Sequence, residues 1–385
     1  MNEQQLGFDP TIITSGDKRF IEIKREDRTE RLIIEKSMGR RPCIAGRATT
    51  CWKAYYENDP QTPLVIKDSW QFPERQEEGE LLQEATDKGV INVARHYYHE
   101  TVKVLGMDDD VRNSVRKGLD ISKAENYQRR PVVLLDRSDP RVRPALFSPW
   151  KTIPFRIFNG GDITSNRIHR RVILRDYGTP IYKASSRAAL LKALKGCIEG
   201  YESLHKAGFL HRDISIYNLM VNEDENNPSW PSFLIDLDLA IKEQRASASG
   251  AKGKTGTRAF MAVGVLLGDL HSFMHDLESF FWVLFWICIH YNGPGLAIGP
   301  TRFDHWNYEN DQDLADLKFA AIIDERTFLD RAERDFTPYY EPLIPWVNRL
   351  RREVFPNGKI WKKEDRSLYG RMNKVLEAAT KAEEA

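Results

Sequence analysis

The sequence predicts an α+β protein of two lobes, a β-rich first part and a helical second part with a cleft between them. Three observations predict it. Short runs of alternating apolar and polar residues crowd the N-terminal third, and apolar stripes at 3.6-residue spacing dominate after Ser185. A chain of 385 residues with 41% hydrophobic side chains also has the apolar surface for more than one small core.

The elements follow in order. Arg19-Phe20-Ile21-Glu22-Ile23-Lys24 and Arg31-Leu32-Ile33-Ile34-Glu35 alternate across charged turn residues and read as a hairpin. Pro63 to Lys67 reads as a third strand, and Pro73 to Lys88 as one helix on the spacing of Leu81, Leu82 and Ala85. Thr101 to Leu105 reads as a further strand. From about 107 to 166 the pattern dissolves into Pro, Arg and Asp and reads as an insertion. Ser185 and Ser186 can cap a helix whose stripe is Leu190, Leu191, Leu194, Ile198, Tyr201 and Leu204. A β-like interlude spans Leu219 to Ile235, and beyond Asp276 the pattern is helical, with Leu343, Ile344, Val347, Leu350 and Val354 on one face. The domains expected are an N-terminal lobe over 8–175 containing the insertion, a C-terminal lobe over 176–360, and a helical tail over 361–385.

Composition narrows the function. Lys plus Arg (57) nearly cancels Asp plus Glu (56), so no bulk field advertises a nucleic-acid or anionic-membrane partner. The apolar run Phe280 to Ile289 is too short to span a bilayer and reads as a helix buried on all sides. No secretory signal is expected, because Met1 to Pro10 lacks a basic stretch followed by an apolar core, and Cys43, Cys51, Cys197 and Cys288 form no paired framework. An intracellular protein, cytoplasmic or nuclear, is therefore expected. His96, His99, His205, His271 and His275 lack zinc-ligand spacing. The stretch 108–171 carries 14 Lys or Arg against 8 Asp or Glu, which reads as a wet loop or as a docking surface for an acidic partner.

The densest chemical signal is His211-Arg212-Asp213-Ile214-Ser215-Ile216-Tyr217-Asn218. Asp213 and Asn218, across a tight loop, can aim two oxygen-bearing side chains into one cleft, one to accept a proton and one to hold a hard divalent cation. Asp236 ends the apolar strand Phe233-Leu234-Ile235 and offers a second cation ligand.

This order of elements, with Gly256-Thr257-Arg258-Ala259-Phe260-Met261-Ala262 behind it, resembles the protein-kinase signature set. His211 to Ser215, Leu234 to Ala240, His275 to Phe281 and the block Pro42 to Trp52 resemble specifically the fungal-type protein kinase family, over about Phe8 to Asn357. The resemblance implies a two-lobed protein kinase-like fold, ATP and Mg²⁺ as cofactors, and a protein substrate with a Ser or Thr hydroxyl, the specificity being suggested by Gly256-Thr257. It implies Asp213 as catalytic base, Asn218 and Asp236 as Mg²⁺ ligands, and Lys67 on the α/β-phosphates. Glu78 is the helix residue best placed to pair with Lys67, with Glu77 and Glu84 as alternatives. ATP would lie beneath Gly46, its adenine against the hinge Arg175-Asp176-Tyr177-Gly178.

Several positions depart from that pattern. Only Gly46 remains of three glycines in the phosphate-covering loop, which stiffens it. Asp236-Leu237-Asp238 replaces the flexible glycine by a carboxylate, read as a turn cap ahead of a cation ligand. Ser215 stands where a Lys is expected, a loss that Lys252, Lys254 or Arg258 can make good, and Ala262-Val263-Gly264 lacks the anchoring Glu. Asp276 resembles the buried Asp that holds the catalytic loop, and Arg212 is placed to bind a phosphate on Ser247, Ser249, Thr255 or Thr257. The thin loop and Ser215 leave a pseudokinase acting as a nucleotide- or partner-binding module as the alternative. A small-molecule kinase resembling the aminoglycoside and choline kinases is the third reading, opposed by Arg212.

Overall fold

Successive side chains of a strand point to opposite faces, and this alternation builds the N-terminal region. The computed structural model describes residues 9–40, 47–117, 119, 166–243 and 255–385. β1 (Ile13–Ser15), β2 (Lys18–Arg25) and β3 (Arg28–Arg40) open a curled antiparallel sheet that includes the predicted hairpin. β4 (Thr50–Tyr56), β5 (Asp59–Gln71) and β6 (His96–Thr101) follow. A small hairpin of β7 (Lys103–Val104) and β8 (Met107–Asp108) precedes β9 (Ile168–Leu174). The order is β1-β2-β3-β4-β5-β9-β6, with β9 between strands that precede it in sequence. The strand expected over Thr101 to Leu105 lies upstream, because β9 pairs with His96 to Thr101 and leaves 103–104 to the hairpin.

One face of the sheet closes on itself around Ile21, Ile23, Leu32, Ala54, Leu64, Ile66 and Ile173. The alternate residues Val65, Val172 and Leu174 face α1 (Glu78–Asp87) and its buried Leu81, Leu82 and Ala85, within the larger core that continues into the helical region. Lys67 follows Val65 by two positions, so the pleat turns it toward α1 as well.

β10 (Thr179–Pro180) leads into α2 (Arg187–Lys206), where the Ala189 N–H donates to the predicted cap Ser186 at 3.1 Å. β11 (Phe209–Leu210), β12 (Leu219–Val221), β13 (Ser232–Leu234) and β14 (Ile241–Lys242) are short; β12 pairs with β10 and β13, and β11 with β14. Then come α3 (Val263–Leu267), α4 (Phe273–His290), α5 (Asp311–Ile322), α6 (Glu325–Asp335), α7 (Ile344–Val354) and α8 (Leu368–Glu384). Every residue of α4 from Phe280 to Ile289 is buried, as its all-round apolar sequence predicts. α8 lays Leu368, Met372, Leu376 and Ala379 against α2 and α7, and Tyr369 hydrogen-bonds His205 at 3.1 Å. Among the described residues no helix is long and apolar enough to cross a membrane.

Candidate active site

After β11 the chain makes a sharp turn with Arg212 at φ 67°, and Asp236 after β13 sits at φ 66°. Both are left-handed, a conformation that costs a non-glycine residue free energy and persists only where its surroundings enforce it. Asp276, buried in the first turn of α4, enforces the first: the His211 and Arg212 N–H groups donate to its carboxylate at 3.0 and 3.1 Å. Burial alone would lift the Asp276 carboxyl, yet the His271 ring, 2.8 Å away, holds it down to about 2. His211 Nε2 meets the Ile235 carbonyl at 3.0 Å and ties this turn to the approach of Asp236.

Asp213 is oriented by two elements. The Thr257 N–H and hydroxyl donate to its Oδ1 at 2.8 and 2.9 Å, while the Asn218 amide donates to its carbonyl at 2.8 Å and its Oδ2 at 3.2 Å. Gly256 permits the approach of Thr257: at φ 118° an added Cβ would stand 2.8 Å from the Arg212 carbonyl.

Lys67 joins the two lobes. Its ammonium donates to Glu78 Oε1 and Oε2 at 2.8 and 2.6 Å and to Asp236 Oδ1 at 2.7 Å. Burial pulls its pKa down, but the charges of Asp236 and Glu78 outweigh this and hold it above the usual lysine value. Burial likewise acts to raise Asp236, and Lys67 with Arg47 drives it well below the usual carboxylate range. Glu78 is lifted by burial against the pull of Lys67. Of the alternatives, Glu77 pairs with Arg170 at 2.8 Å and Glu84 with Lys242 at 2.7 Å, so the 11-residue spacing to Glu78 is the one used.

Asp213, Asn218, Asp236 and Ser215 line one cavity of about 220 Å³ between the lobes. Arg47 and Arg75 also line it. Asp176 stands apart from this cavity: its buried carboxylate accepts from Arg95 at 2.6 Å and from the Trp230 backbone N–H at 3.0 Å. Gly46, Lys252, Lys254, Ser247 and Ser249 lie outside the described residues. Burial pushes the Cys51 thiol up to about 11, so it carries no thiolate at neutral pH.

Against these features stand the comparisons with known proteins. The sequence profile of the fungal protein kinase family matches residues 1–288. The chain belongs to that family. The fold of this fungal protein kinase is similar to that in the "Structure of vaccinia related kinase 3", with a TM-score of 0.53 at 11% identity, covering 98% of this chain and 96% of that one. No curated protein matches it.

Three departures of this fungal protein kinase take physical form in the structure. The segment lacking its anchoring Glu is held from the other side: the Val263 N–H and the Trp282 indole donate to Glu278 Oε1 at 2.7 and 2.9 Å, and Lys318 donates to the Met261 carbonyl at 2.8 Å. Burial lifts Glu278 and pulls Lys318 well down, while Trp282 and Trp306 flank the ammonium. Asp238 makes no hydrogen bond to backbone among the described residues, so it is not the turn cap; Arg47 Nη1 reaches its Oδ2 at 2.6 Å. Arg258 does not replace the missing cation at Ser215, because its guanidinium is bound to Asp311 and the Glu309 carbonyl. Arg47, Glu278 and Lys318 are the residues that sequence reasoning missed. Only Glu278 left a local signal, its place two residues after Asp276.

Of the basic stretch 108–171, Arg170 and Arg171 are paired inside the sheet, Arg171 with Asp68, Asp9 and Glu100. Residues 120–165 lie outside the described residues. Asp9, Asp68 and His169 come close enough together for a metal, but Arg171 donates to both carboxylates at 2.9 Å and makes the cluster an ion-pair network.

Proposed function

We propose that this protein kinase transfers the γ-phosphate of ATP, with Mg²⁺, to serine or threonine hydroxyls of protein substrates. The observation that supports it is the convergence of Asp213, Asn218 and Asp236 on one cavity, with Lys67 bridging Asp236 and Glu78 beside it. The donor set suits a hard cation: Asp236 offers carboxylate oxygen, and the Asn218 amide nitrogen is engaged by Asp213, which leaves the amide oxygen for a ligand. Bound Mg²⁺ neutralises charge on the phosphates.

The remaining steps belong to the chain. Lys67, positioned by Glu78, holds the α/β-phosphates. Asp213 orients the substrate hydroxyl and accepts its proton as oxygen bonds to the γ-phosphorus and the bond to the β-phosphate oxygen breaks, releasing ADP. The hydrogen bonds from Thr257 to Asp213 support a serine or threonine acceptor. The test is transfer of radiolabel from ATP with Mg²⁺ to a generic protein substrate, beside the Asp213→Asn variant. Transfer by the wild type alone supports the reading. Nucleotide binding without any transfer supports the alternative of a pseudokinase, which the Arg47 contact with Asp236 and Asp238 favours because it sets a protein cation where a metal would bind.

A further inference from the structure

The residue two positions after Asp236 has chemistry that the proposed reaction does not use. A left-handed Asp236 followed by the 3-10 turn Leu237–Leu239 brings Asp238 back onto the wall of the cavity that Asp236 lines. Its side chain is only 4% exposed. One oxygen, Oδ2, accepts from Arg47, and the other, Oδ1, is buried with no hydrogen-bond partner among the described residues. A buried carboxylate oxygen left unmatched is costly, so its retention points to a ligand that completes it.

Arg47 shows where such a ligand would sit. The guanidinium nitrogen that is 2.6 Å from Asp238 Oδ2 is also 3.7 Å from Asp236 Oδ2, so a single positive atom lies between two carboxylates. The Arg47 carbonyl is fixed to β5 by the Trp70 N–H at 2.7 Å, which holds the residue at the edge of the cavity while its side chain crosses it. A glycine at 238 would offer neither contact.

We propose, building on the phosphotransfer reading above, that Asp236 and Asp238 together form a divalent-cation site, and that Arg47 is the counter-ion that a divalent cation displaces from it. Arg47 and the cation then exclude one another. Removing Asp238 weakens the metal, and removing Arg47 tightens it. Waters fill the coordination that two carboxylates leave open, as is usual for Mg²⁺.

The experiment is titration of the full chain with Mn²⁺ alone, followed by electron paramagnetic resonance, in wild type and in Asp238→Asn, Arg47→Met and Asp236→Asn. Loss of one ligating carboxylate is expected to weaken Mn²⁺ by about tenfold or more in Asp238→Asn, and Arg47→Met is expected to bind several-fold tighter than wild type. Asp238→Gly serves if the Asn variant does not fold. Unchanged affinity on changing Asp238, or unchanged or weaker affinity on changing Arg47, overturns the proposal. If Asp236→Asn alone loses Mn²⁺, the proposal falls and the phosphotransfer reading stands. If the wild type binds no Mn²⁺ the proposal falls, and if a second titration with ADP present also finds none, the phosphotransfer reading falls with it.

Discussion

Asp213 is held by donors from two directions, so an amide at 213 can keep the Thr257 contacts through its oxygen while its NH2 gives up only the 3.2 Å contact from Asn218, whose bond to the Asp213 carbonyl remains. Asp213→Asn is expected to keep nucleotide affinity while lowering single-turnover phosphate transfer by about 10² to 10⁴, the range general-base catalysis supplies. His169 carries a separate prediction. Burial would lower its pKa, but hydrogen bonds to Asp109 and Asp68 raise it to about 9, against opposition from Arg171. Its folded value lies above its ordinary one near 6.5, so its stabilisation is fully present below pH ~6.5 and disappears as pH rises through about 9. The stability difference between wild type and His169→Gln, measured by chemical unfolding, should therefore shrink between pH 7 and 10. A difference constant over that range would refute the assignment.

At the scale of elements, α1 matters because its first turn carries Glu78. Gly79 beside it has no room for a side chain: an added Cβ would stand 2.3 Å from the His99 Cβ on β6. Gly79→Ala should push this turn off the sheet, at an overpacking cost of about 1–3 kcal/mol, and draw Glu78 away from Lys67. The expected readout is a lower unfolding midpoint with weaker ATP binding; unchanged binding would show that the turn tolerates the methyl. Elements of this kind were unevenly legible in the sequence. The loop from His211 to Asn218 was readable because its chemistry is local, and α2 because its stripe is continuous. β6 was not, since His96-Tyr97-Tyr98-His99 shows no apolar alternation and its strand character comes from pairing with β9. Glu78 could be singled out but not decided, because the choice depends on where the partners of Glu77 and Glu84 lie, on β9 and β14. Lys318 was hidden altogether, as burial of a charged residue runs against its usual pattern.

Across the whole molecule, protection should follow packing. α4 is buried along nearly its whole length, whereas β1 is exposed throughout, so amide hydrogen exchange should be slowest in α4 and fast in β1. Equal rates would contradict this gradient. ATP with Mg²⁺ at about 100 times its dissociation constant should add about 2.7 kcal/mol to stability and raise the unfolding midpoint of the wild type, while Asp236→Asn, which removes a proposed metal ligand, should show a smaller rise.

The late arrival of β9 in the sheet also bears on biosynthesis. Val65 pairs with Leu174, and among the described residues β6 reaches the sheet through β9 alone. A nascent chain that has released β5 from the ribosome therefore carries an open strand edge until residue 174 emerges, a ready template for pairing with a neighbouring polypeptide. Closing that long span is a slow step by its topology. During translation this stretch is where a chaperone would have the most to shield.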